Sequence, residues 1–71
     1  MSPTDLIDQA LDGLAPGPAR DNLERAKRQV ELHRYKMAYR YVARALVLLH
    51  TQEALERAAL AYAACYQAAR A

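Results

Sequence analysis

The residues with chemical potential gather in one stretch. His33, Tyr35, Lys36, Tyr39, Arg40 and Arg44 fall within twelve positions of one another. Residues 19–50 hold eight Lys and Arg against three acids, a net of +5. The rest of the chain holds two basic residues against five acidic ones, a net of −3. Arginine and tyrosine are frequent carriers of binding energy at protein interfaces, because each combines a broad apolar or planar surface with polar atoms. The same residue types could also meet a nucleic acid, with cations on phosphates and tyrosines stacking at the edge. The overall charge is only +2, and no helix-turn-helix, ribbon or RNA-binding signature accompanies the basic stretch. Binding to another protein is therefore the expected role, with a small DNA- or RNA-binding regulator as the alternative.

Catalysis and metal binding have little to stand on. His33, His50 and Cys65 are the only imidazoles and thiol. No two of them share the i, i+3 or i, i+4 spacing that places ligands on one helix face. Asp5, Asp8 and Asp12 fit helix capping and solubility better than acid–base chemistry. The expectation is a non-enzymatic chain with no metal and no cofactor.

Composition limits the architecture. A 71-residue chain is one small domain. At this size it buries only about 60% of its unfolded surface. Apolar residues make up 54% of the sequence, and only two glycines and three prolines interrupt it. No stretch alternates like a strand. The fold class expected is all-α. The single cysteine fits a reducing, cytoplasmic setting. The N-terminal residues lack the pattern of a secretion signal, and no apolar run approaches the roughly 18 residues of a membrane span. One broad apolar face for a membrane surface is also missing.

The elements are read from caps and periodicity. Ser2, Pro3 and Asp5 form a capping-box pattern that starts a first helix over about 3–12. Residues 13–18, Gly-Leu-Ala-Pro-Gly-Pro, break it. A long second helix is expected over 19–50. Thr51 then caps a third helix over about 52–69.

On a helical wheel the second helix carries two apolar stripes. Leu23, Ala26, Met37, Tyr41, Ala45 and Leu48 lie within about 60° of Val30. Leu32, Tyr35, Tyr39, Val42, Leu46 and Leu49 lie roughly 100–200° away, at heptad-like spacing. One stripe can pack on the third helix, as an antiparallel hairpin of long helices. The surplus stripe, with Leu32, Val42, Leu46 and Leu49 as its packing residues, argues for a homodimeric helical bundle. Because no Gly or Pro marks the join at 50–52, a continuous coiled-coil helix is the alternative.

Overall fold

In the computed structural model, which describes all 71 residues, the chain forms four helices and no strands: α1 (Pro3–Leu11), α2 (Pro18–Glu31), α3 (Tyr35–Leu46) and α4 (Gln52–Arg70). α1 begins as its sequence dictates. The Asp5 backbone N–H donates to Ser2 Oγ at 3.2 Å, and the Ser2 N–H donates to Asp5 Oδ2 at 3.4 Å. Gly13 follows the helix with φ +73°, a conformation that glycine adopts without steric cost. Pro18 sits at the first turn of α2, where its missing N–H leaves no bond unmade. Thr51 caps α4 by accepting from the Ala54 N–H at 3.2 Å.

The expected single helix over 19–50 is instead two helices, so the long-helix hairpin gives way to four shorter elements. The break lies at Leu32–Arg34. There the Arg34 N–H donates to the Gln29 carbonyl at 2.8 Å and the His33 N–H to the Val30 carbonyl at 2.9 Å. These two bonds are the reciprocal pair of a Schellman cap, which needs a left-handed residue at its centre. His33 fills that position with φ +57°. Glycine normally takes the place, but histidine is among the side chains enriched at positive φ.

The strained cap gives a direct prediction. His33→Gly is expected to raise the melting temperature by a few degrees, since relief of a left-handed side chain is worth about 1 kcal/mol. A thermal melt checks it. A lower melting temperature would mean that the contact from His33 Nδ1 to Tyr35 Oη, 3.2 Å long, outweighs the strain.

The break also explains the two stripes. Leu23, Ala26 and Val30 are buried on α2, from the first stripe. Tyr35, Tyr39, Val42, Leu46 and Leu49, from the second, are buried or packed against the core beyond it, as are Tyr41 and Ala45 from the first. The apolar side changes because the chain turns between the two. Each helix has two main neighbours: α1 lies against α2 and α4, and α3 against α2 and α4. The stripe that argued for a second copy is thus covered within one chain. Leu32, expected to pack, caps α2 and is 44% exposed.

Eleven residues form the buried core, and six of them are alanines: Ala10, Ala26, Ala38, Ala45, Ala58 and Ala61. Small side chains let helix axes approach closely, so four helices fit into a body 31 × 18 × 18 Å. Ile7, Leu23 and Val42 supply the bulk, with Cys65 beside them. An ion pair from Lys27 Nζ to Asp8 Oδ1, 2.7 Å long, ties α2 to α1. The Asp8 carboxylate, by hydrogen bond and by charge, raises the Lys27 ammonium above its ordinary pKa. The Arg20 guanidinium donates to the Leu14 carbonyl at 2.9 Å and pins the linker.

Candidate functional site

The break orients α3 so that three cations share its outward face. Lys36, Arg40 and Arg44 recur at four-residue spacing, and all are exposed. Over eight residues they span about 12 Å of helix. Each step of four turns the side chain by roughly 40° about the axis. The row therefore runs obliquely, from the α4 side at Lys36 toward the α2 side at Arg44. Three ion pairs form in the chain, Arg20–Glu24, Lys27–Asp8 and Arg57–Glu53. None involves this row. Arg44 instead lies over the Tyr41 ring, 5.2 Å from its centroid.

Tyr39 points into the seam between α3 and α4. Its ring meets Tyr62 edge-on at 5.5 Å and Tyr66 at 5.3 Å, while Tyr62 and Tyr66 stack at 6.1 Å. Such offset and edge contacts suit aromatic quadrupoles and hold the three rings rigidly. Arg70 covers the Tyr66 ring at 5.7 Å. Of the five tyrosine hydroxyls only that of Tyr35 meets a protein partner, His33 Nδ1. The polar tips of Tyr39, Tyr62 and Tyr66 are left to solvent or a ligand.

Beside this seam, α4 presents a surface without charge. No Asp, Glu, Lys or Arg occurs between Arg57 and Arg70. The outward residues there are Ala59, Leu60, Ala63, Tyr66 and Gln67. Leu60 is 58% exposed and Tyr66 39%. A solvent-facing helix side normally carries charged residues, and an exposed apolar patch rimmed by polar groups commonly marks an interaction site.

The residues singled out from sequence fall into two places. Lys36, Tyr39, Arg40 and Arg44 lie along α3, with Tyr39 in the seam and the cations outside it. His33 and Tyr35 sit at the end of the bundle. The His33 and Tyr35 rings meet edge-on at 6.0 Å, beside a shallow hollow that Lys36 lines with them and that Ala68, Ala69 and Ala71 close. Among the expected packing residues, Val42 is fully buried, and Leu46 and Leu49 pack against the core. Tyr62, Tyr66, Leu60 and Ala63 were not singled out as binding residues. The charge-free stretch 58–69 was their signal. Cys65 is fully buried, and burial pushes its thiol up to about 11, so it stays protonated at neutral pH.

Comparison with known protein families, curated proteins and solved structures finds no match. No helix is long and apolar enough to cross a membrane.

Proposed function

We propose that this chain is a small non-enzymatic interaction module of the cytoplasm, an adaptor, inhibitor or regulator that binds another protein through the outer face of α3 and α4. One observation carries the reading: Lys36 and Arg40, exposed and outside any ion pair, stand on α3 beside the Tyr39–Tyr62–Tyr66 cluster, and an uncharged, solvent-facing side of α4 lies beyond it. Rigid tyrosines lose little entropy when covered, and arginine pairs with carboxylates in a fixed fork geometry. A purely electrostatic ligand would have no use for Leu60, Ala63 and Tyr66.

The runner-up is nucleic acid. Arg25, Arg28 and Arg34 are exposed and also outside any ion pair. With Lys36, Arg40 and Arg44 they are six exposed cations outside any ion pair. A homodimer is a further way to cover the α4 face.

Retention from an extract of the native host separates these readings. The expected result is a retained protein that survives nuclease treatment, with little affinity for duplex DNA at moderate salt. Retention that nuclease abolishes, or duplex binding that falls steeply with salt, would replace this reading with the nucleic-acid one. Sedimentation that shows a concentration-dependent dimer, with no other protein retained, would favour self-association.

A further inference from the structure

We infer that the element recognised is an acidic amphipathic helix, laid along α4 with its carboxylate edge over Lys36 and Arg40. The inference rests on the protein-binding reading and narrows it to one kind of partner. There is no sheet in the fold, so a partner cannot add as a strand. What the surface offers is a helix side. Ala59 and Ala63 are one turn apart and exposed, which lets a partner backbone approach closely. Leu60 and Tyr66 stand on either side as apolar knobs. The partner's facing residues are therefore apolar, at the i, i+3, i+4 and i+7 positions that define a helix seated in a groove.

Charge sets the remaining chemistry. Lys36 and Arg40 on α3, and Arg70 over the Tyr66 ring on α4, are exposed and outside every ion pair. An acidic edge on the partner is attracted by Lys36 and Arg40. A basic edge is repelled there. A proline-rich rod is the rival occupant, since such ligands dock on aromatic surfaces. Here the rings of Tyr39, Tyr62 and Tyr66 pack on one another instead of lining an open slot, and the charge-free area lies on α4 beyond them.

The test is selection from a display library of peptides of roughly 18 residues, about the length at which isolated helices become measurable. Leucine and alanine are fixed at helical spacing, and the flanking positions vary among Glu, Lys, Gln and Ser. A second pool of the same length is proline-rich. The expected outcome is enrichment of Glu over Lys along one edge of the helical pool. Leu60→Arg and Ala63→Arg, both at exposed positions and checked for unchanged helicity, should each weaken retained peptides by about 10-fold or more. Lys36→Glu with Arg40→Glu should reverse the preference toward Lys. Enrichment of the proline-rich pool overturns the inference. So does a helical pool with no Glu preference, an indifference to Leu60→Arg, or an empty selection. Those failures leave the broader reading to the extract experiment, which succeeds or fails independently of partner conformation.

Discussion

Leu23→Ala is expected to lower the unfolding free energy by about 2–5 kcal/mol. The size follows from how the core is composed. Most of its buried positions are alanines, so the few larger side chains carry most of the apolar area that folding removes from water. Leu23 is fully buried, and α2, which bears it, packs against both α1 and α3. The core it belongs to is mostly alanine, whose side chains cannot swing into the vacated volume. A chain of 71 residues has roughly 4–11 kcal/mol of stability to lose, at about 0.05–0.15 per residue. The substitution therefore removes a large share of it. Urea unfolding followed by helical circular dichroism measures the loss. A cost under about 0.5 kcal/mol, the range of ordinary surface changes, would mean that α2 does not close on α1 and α3 as described.

The second large effect is on binding. Lys36→Glu combined with Arg40→Glu is expected to weaken partner binding by about 100-fold, taking roughly 10-fold for each reversed contact. Both side chains are exposed and unpaired, so the folded chain should tolerate the change. Reversal goes further than truncation, because each introduced carboxylate repels an acidic partner as well as leaving it without a cation. The loss should be largest at low salt and shrink as ionic strength rises, since screening weakens repulsion along with attraction.

Much of this fold is legible in the sequence, and the illegible part has a specific physical origin. Ser2 with Asp5, the Pro/Gly linker and Thr51 announce helix ends through local hydrogen bonds, which depend on residues three positions apart. The break at His33 is also local, but its residue type hides it. A Schellman cap asks for a left-handed residue, and glycine is the usual indication; here histidine serves. The better clue is the change of apolar face between Val30 and Tyr35. A straight helix with two opposed stripes and a bent one whose second arm packs on residues of both have the same wheel. Only the packing of α3 between α2 and α4 distinguishes them.

The candidate site divides in the same way. The row Lys36, Arg40 and Arg44 follows from helical spacing alone, whatever the rest of the chain does. That Tyr39 meets Tyr62 and Tyr66 is a contact across more than twenty residues, fixed by the turn at 47–51 and by the break before it. The outward side of α4 is an intermediate case. Its lack of charge is plain in residues 58–69, yet the same alanine-rich run serves equally well in a buried helix. Which of its sides faces water depends on where α1 and α3 settle.

The central claim is that the α3–α4 face, and not basic charge in general, holds the partner. The most direct measurement compares three isotherms for the protein retained from the host extract: the natural chain, Lys36→Glu with Arg40→Glu, and Arg25→Glu with Arg28→Glu on α2. The two double variants change the net charge equally. The expected result is a loss of about 100-fold for the α3 pair and a change of only a few-fold for the α2 pair. Equal losses for both pairs, or a loss confined to the α2 pair, would contradict it.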